Sequence, residues 1–526
     1  MIKTAMSHEG AFSAPHREAA YVGRTVLDAG GTAMEAMVAA AAMIAVTYPH
    51  MNGIGGDGFW LIHRPGQEPV GISACGQAAK LATPDRYTAL GFTGSLPTRG
   101  SNAAITVPGT IGGWQRALAT VENRDALPLA ELLGPAIRKA RDGITVTGSQ
   151  AHYTREKLPE LLNVPGFAEV YLQDGHLPKA GARQQFPGLA RTLEALVTDG
   201  LESFYTGAIA ERNAAYLEAQ GSPLRLEDFH AYSAETVTPL HLETKGDKLF
   251  NMIPPTQGVA SLMILGIFDR LNVTQGDSFA HVHGLVEATK QAFIRRNREL
   301  GDPSRMVTPA QQWLDTDNLD ALASNVDMSH ALPWPYEPAE GDTIWMGAAD
   351  KYGNVVSFIQ SIYWEFGSGL VCPETGVLFQ NRGAGFSLAA GHNQIGPGRR
   401  PFHTLNPALA QLSDGRVMAY GTMGGEGQPQ TQSAVFTRYH RFNMGLQEAV
   451  TAPRWLLGRT WGENSTNLKL ESRFDGALVS ALEKAGHDLE VIAPFSDLCG
   501  HAGAVVRHPD GLCEAAADPR SDGFAI

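Results

Sequence analysis

The sequence predicts an α+β fold in which strand layers are flanked by helices. Three observations lead there. Apolar residues recur at helical spacing in several stretches of the first 300 residues, as at Leu129, Leu132, Leu133, Ala136 and Ile137. After residue 343 the pattern turns to β-rich runs, the clearest being a hairpin. The longest apolar run, Val38 to Val46, is too short to span a bilayer and suits a helix buried against a sheet.

Taken along the chain, residues 17–29 and 33–47 are expected as two helices separated by Gly30-Gly31, with Thr32 as N-cap of the second. Phe59-Trp-Leu-Ile-His63 is expected as a strand, and helices over 128–142, 188–199, 208–219 and 278–299. Ala331 to Asp342, rich in proline, reads as an exposed connector. The hairpin follows: Thr343 to Ala349, the turn Asp350-Lys-Tyr-Gly-Asn354, then Val355 to Tyr363. Further helices are expected near 428–440, 446–451 and 475–486. No internal repeat is evident.

Composition narrows the function classes. The 526 residues are 43% hydrophobic, enough for a sizeable core. A net charge of −13 without a basic stripe argues against nucleic acid and anionic membranes as partners. The four cysteines, Cys75, Cys372, Cys499 and Cys513, have neither metal nor redox spacing. His281-Val-His283 falls on an expected helix, where residues i and i+2 point apart, and no H-E-x-x-H occurs. A zinc hydrolase is therefore disfavoured, and no metal or organic cofactor is expected. Gly53-Ile-Gly-Gly-Asp-Gly58 matches G-x-G-x-x-G, but a helix precedes it and a strand follows. A dinucleotide site needs the opposite order.

Thr343 heads the hairpin directly after the connector. If the Asp342–Thr343 bond were cut, its hydroxyl would be a nucleophile and its freed α-amine the base. Such an amine has a reference pKa of about 7.7–8.0, so a useful fraction is neutral near physiological pH. From the hairpin alone, an ordinary strand-opening threonine fits as well. Gly424-Gly425 precedes the expected helix at 428, and N–H groups at a helix start can stabilise an oxyanion; a simple turn is the alternative.

The ordered motifs decide between these. Gly30-Gly-Thr-Ala-Met-Glu-Ala, Pro49-His-Met-Asn-Gly-Ile-Gly-Gly-Asp-Gly-Phe59, Thr106-Val-Pro-Gly-Thr-Ile-Gly-Gly113, Pro254-Pro-Thr-Gln-Gly258, Gly353-Asn-Val-Val, Phe366-Gly-Ser-Gly369, Arg400-Pro and Gly424-Gly425 occur in that order. With this set the chain resembles the γ-glutamyltransferase family of N-terminal-nucleophile hydrolases over nearly its whole length. The resemblance implies a four-layer αββα sandwich cut by its own Thr343. Residues 1–342 and 343–526 would be the large and small fragments of one fold, staying associated, with a dimer of such pairs possible. It implies Thr343 as nucleophile, Ser361 as an assisting hydroxyl in place of the family's second threonine, and Gly424 and Gly425 as oxyanion donors. Many relatives are exported. The first ten residues here lack a signal-like apolar core, so a cytoplasmic location with reduced cysteines is expected.

The implied substrate anchors differ from the family pattern. The arginine that holds the γ-glutamyl carboxylate falls at Pro84, and the aspartate that holds its amino group at Gly385. A glutamine becomes Arg382, an asparagine Tyr363, and a serine pair His403-Thr404. Losing a negative charge and gaining Arg382 disfavours an α-ammonium group and favours an acid without one. Arg86 is a possible replacement for the lost arginine, or simply a surface cation. The blocks Arg400-Pro-Phe-His-Thr-Leu-Asn-Pro407 and Gly424-Gly-Glu-Gly-Gln-Pro-Gln430 resemble a subgroup, the oxamate amidohydrolases of purine-ring breakdown. The expectation is a self-cleaving amidohydrolase for a small anionic amide, best oxamate, with Tyr363, Arg382, His403 and Thr404 lining its pocket. A γ-glutamyl transferase, an acylase for a larger acyl group and an inactive anion-binding relative are the alternatives.

Overall fold

Two seven-stranded sheets form the centre of the protein. The computed structural model describes residues 2–122, 126–336, 342–458 and 465–526. One sheet runs in space Phe524–Ala525, Gly10–Ala14, Asp342–Asp350, Val355–Tyr363, Asp57–His63, Val70–Ala74, Glu235–Val237. The other runs Ala5–Ser7, Cys513–Ala517, Ala502–Arg507, Val417–Thr422, Ala408–Gln411, Asp247–Asn251, Leu240–Thr244. Both sheets take strands from either side of residue 342.

Three apolar layers establish the stacking. Phe59, Trp345, Ile359, Leu409, Ala419 and Val505 fill the space between the sheets. On the outer face of the first sheet, Trp60, Met346, Val356 and Phe358 pack on the helix Ala33–Thr47, among others. Beyond the second sheet, Ala410, Met418 and Ala504 pack on helices that include Gly258–Arg270, Phe279–Glu299 and Gln428–Phe436. The result is the αββα order, because alternate residues of a strand face opposite layers.

Local chemistry explains the elements that carry the site. Thr32 caps Ala33–Thr47 in a reciprocal box with Glu35, and every residue of that helix is buried. The hairpin forms as expected, its two strands in antiparallel register. The helix expected over 428–440 runs only to Phe436 and widens into a π turn over Thr437–Arg441. Of the connector, residues 331–336 are mostly exposed, and 337–341 and the Asp342 side chain lie outside the described structure. The four cysteines are free and buried. Among the described residues, no helix is long and apolar enough to cross a membrane.

Candidate active site

The nucleophile candidate sits where the hairpin register slips. Asp342 pairs with Tyr363 and Ile344 with Gln360, so Thr343 lies opposite both Ser361 and Ile362. A bulge of this kind re-aims a side chain at the end of a ladder. Ser361 is cross-strand neighbour to Asp57. Thr343, Ser361 and Asp57 stand two residues from Trp345, Ile359 and Phe59, so all three fall at one end of the inter-sheet layer. Each is buried. The Ser361 hydroxyl accepts from the Tyr363 amide at 2.7 Å, and Tyr363 holds φ +85°. Positive φ in an aromatic residue is strain of the sort that persists where surroundings over-determine it.

The glycine loop before Asp57 has a steric purpose. A Cβ on Gly55 would collide with the Leu378 carbonyl, and one on Gly56 with that of Ser361. Glycine is needed so that the loop can lie directly on the hairpin, and it delivers Asp57 to the site. The Asp57 carboxylate accepts from the Gly76 amide at 3.0 Å, from Gln380 Nε2 at 3.0 Å and from His403 Nε2 at 3.1 Å. Burial raises its pKa to about 7 against the lowering by the Gly76 and Gln380 donors and by the Arg382 charge. His403 accepts the Leu405 amide at Nδ1, so its proton is on Nε2, and burial with the nearby Arg382 keeps it neutral.

Arg382 lies in the short turn Arg382–Gly385 and is 1% exposed. Its Cζ stands 3.7 Å from the centre of the Tyr363 ring, and Nη1 reaches the Thr404 hydroxyl at 3.4 Å. Nε and Nη2 are buried without a hydrogen-bond partner among the described residues. Those two nitrogens form the side-on edge that takes both oxygens of one carboxylate. At Gly385 a Cβ would stand 2.8 Å from the Phe402 carbonyl, so an aspartate does not fit there without movement. Arg86 instead donates to the Gly221 carbonyl.

Gly424 and Gly425 have φ of +119° and +50°, values that glycine reaches freely. They lead into a 3-10 turn, Gly425–Gly427, before the helix Gln428–Phe436, so the amides stand at the head of a compound helix start. The site thus gathers Thr343, Ser361 and Tyr363 on one hairpin, with Arg382, His403 and Thr404 beside them. Sequence reasoning missed Asp57 and Gln380. The signal for Asp57 was its place inside the glycine motif, which served as a family marker and as a test for phosphate binding, with no role given to its aspartate.

Among the described residues, two buried groups bring metal-type donors together: Asp57, Cys75 and His403, and His283, Glu287 and His487. Neither suits a cation. The first faces the Arg382 charge. In the second, Glu287 is already paired to the Lys290 ammonium at 2.7 Å and His283 to His487 at 2.8 Å.

A family model described as gamma-glutamyltranspeptidase matches residues 19–526. The chain is 52% identical over 525 residues to the oxamate amidohydrolase proenzyme of Klebsiella pneumoniae subsp. pneumoniae, covering 99% of this chain and 98% of that protein. It is 37% identical to the glutathione hydrolase-like YwrD proenzyme of Bacillus subtilis, over 97% of each. The crystal structure of cephalosporin acylase from Bacillus halodurans is similar with a TM-score of 0.92 at 30% identity, over 100% of this chain and 97% of that one.

Proposed function

The chain belongs to the gamma-glutamyltranspeptidase family, and on that premise we propose that it cleaves itself at Asp342–Thr343 and then hydrolyses oxamate to oxalate and ammonia. It is an enzyme acting on amides, as its relatives are. The single observation that carries the substrate is Arg382: a buried guanidinium whose Nε–Nη2 edge has no hydrogen-bond partner among the described residues. A buried charge left this way is costly unless a ligand completes it. Oxamate brings a carboxylate directly beside its amide and no ammonium group. The amino-acid alternative would need an anion near Gly385, where the Phe402 carbonyl crowds any side chain.

In the reaction the Thr343 hydroxyl adds to the amide carbon, giving up its proton to the free α-amine. Gly424 and Gly425 supply N–H donors to the oxyanion, an interaction worth about 2.7–4 kcal/mol per donor. Collapse expels ammonia, which takes the proton from the amine, and water then opens the ester by the same route in reverse. Ser361 assists the nucleophile from the facing strand. Tyr363 cushions the Arg382 charge, Thr404 orients its Nη1 and His403 walls the pocket through Asp57. The fragments 1–342 and 343–526 remain joined because each sheet is built from both.

The test compares ammonia release from oxamate with glutamate release from a γ-glutamyl amide, in matured protein and in Thr343→Ala. Oxamate alone is expected to turn over, and Thr343→Ala is expected to stay one uncut chain with activity down by at least about 10⁴-fold. Turnover of the γ-glutamyl compound alone would overturn the substrate assignment. Two fragments in the Thr343→Ala protein would overturn self-cleavage.

A further inference from the structure

The turn that carries Gly424 and Gly425 has Glu426 as its one side chain between glycines. Its support comes from Gln257, in the motif Pro254-Pro-Thr-Gln-Gly258. The Gln257 carboxamide donates from Nε2 to the Gly425 carbonyl at 2.9 Å and to the Thr404 carbonyl at 2.8 Å. Its Oε1 accepts from Arg296 Nη1 at 2.8 Å. The orientation of the amide is fixed by chemistry. Turned over, its oxygen would face two carbonyls and its NH₂ a guanidinium.

Arg296 completes the brace. Its Nη2 pairs with Glu426, inside the same turn, at 2.8 Å, and its Cζ lies 3.7 Å from the Phe293 ring centre. The Gln257 backbone amide also donates to the His403 carbonyl at 2.9 Å. Gln257 is fully buried and Arg296 is 1% exposed. One residue therefore bonds at three points to two segments: the His403–Thr404 segment, which contacts Arg382, and the glycine turn.

We propose that Gln257 is a positioning residue, which sets the distance between the oxyanion donors and the carboxylate anchor. This rests on the reading of Gly424 and Gly425 as those donors. For a substrate as short as oxamate the carboxylate and the reacting carbonyl are adjacent atoms, so neither end can adjust if the other is displaced. Misplacement by about 1 Å costs on the order of 10²-fold in rate. Gln257 reaches Arg382 only indirectly, through the Thr404 segment, so the loss falls chiefly on kcat.

The test uses full-length protein carrying Gln257→Glu, which keeps the size and the Arg296 partner but faces both carbonyls with an acceptor. Gln257→Met removes the polar group without adding charge, and Arg296→Lys keeps the pair with Glu426 while removing the second nitrogen. Rates are scaled to the cut fraction measured by mass spectrometry, and melting curves establish that each variant is folded. The expected result is kcat about 10- to 100-fold lower in both Gln257 variants, with KM within about three-fold of wild type. Arg296→Lys falls between these and wild type. A kcat within two-fold of wild type in any folded Gln257 variant overturns the brace, as does a KM that rises in step with the fall in kcat. If wild type shows no Thr343-dependent amide turnover, the donor reading falls first and takes the brace with it.

Discussion

Arg382 and Arg520 are both buried arginines, and they differ in whether carboxylates of the fold fill the hydrogen-bonding edge. Arg520 is closed on all sides. Nε and Nη2 grip both oxygens of Glu471 at 2.7 Å, and Nη1 meets Asp518 at 3.0 Å. These carboxylates raise its pKa above the ordinary arginine value, against the effect of burial. Arg382 has an aromatic face beneath it, one hydroxyl at 3.4 Å and an open edge. Burial lowers its pKa, and the carboxyl that opposes this, Asp57, is itself pushed toward neutrality. Burial alone is therefore no guide to role; the state of the hydrogen-bonding edge is.

The largest expected effect tests that contrast directly. Arg382→Met should lower kcat/KM for oxamate by about 10²-fold or more, since truncating one partner of a buried charged contact costs roughly 2–5 kcal/mol. Its stability to denaturant should hold or rise, because an incompletely paired charge has been removed. Arg520→Met should do the reverse. It takes one of two arginine partners from each of Glu471 and Asp518, which keep Arg473 and Arg454, at a cost of up to about 3–5 kcal/mol, yet each folded, cut molecule should turn over oxamate normally. Denaturant melts with parallel kinetics read both halves. Equal destabilisation by the two substitutions would erase the distinction.

A smaller effect sharpens it through pH. Asp57 titrates at about 7, raised chiefly by burial. Below that pH its carboxyl is neutral and Arg382 acts on an anion unopposed; above it, ionised Asp57 competes. KM for oxamate should therefore rise through pH 7 by roughly three- to ten-fold, equivalent to up to one pKa unit of interaction. Meanwhile kcat should rise as the Thr343 amine loses its proton near its reference pKa of about 7.7–8.0. Asp57→Asn should flatten the KM profile and leave the kcat profile in place. The linkage to stability has a definite sign. A raised carboxyl pKa favours the fold fully below the reference value of 3.8, and this contribution is lost as pH climbs through about 7. A KM that ignores pH in wild type would remove Asp57 from the anion balance.

The same contrast marks what the sequence could disclose. The hairpin, the Thr32 cap and the buried helix Ala33–Thr47 were legible because they are local: periodicity, turn chemistry and capping act over a few residues. Arg382 was legible as a departure from the family's pattern, its open edge was not. An edge is open or closed according to partners far along the chain, and nothing near Arg520 in sequence except Asp518 announces Glu471, 49 residues away. Asp57 escaped notice for the same reason. Its partners Gln380 and His403 lie 323 and 346 residues on, and the glycines around it matched a phosphate-loop pattern first. The glycine spacing reflected close approach to Leu378 and Ser361 instead.

The smallest effect concerns the surface beneath the charge. Tyr363 holds its ring 3.7 Å from the Arg382 guanidinium at a strained φ of +85°. An aromatic face attracts a cation by about 0.5 kcal/mol in water and about 2 kcal/mol when desolvated. It stabilises Arg382 without occupying the edge proposed for substrate, which no carboxylate in that place would do. Tyr363→Leu keeps bulk and loses the face, so KM for oxamate should rise about 2- to 30-fold, the equivalent of that range. Tyr363→Phe keeps the face and should remain within about two-fold of wild type. Steady-state kinetics on the cut proteins compare them. If leucine serves as well as phenylalanine, the ring is only a wall, and Arg382 must be held open by Thr404 and the turn Arg382–Gly385 alone.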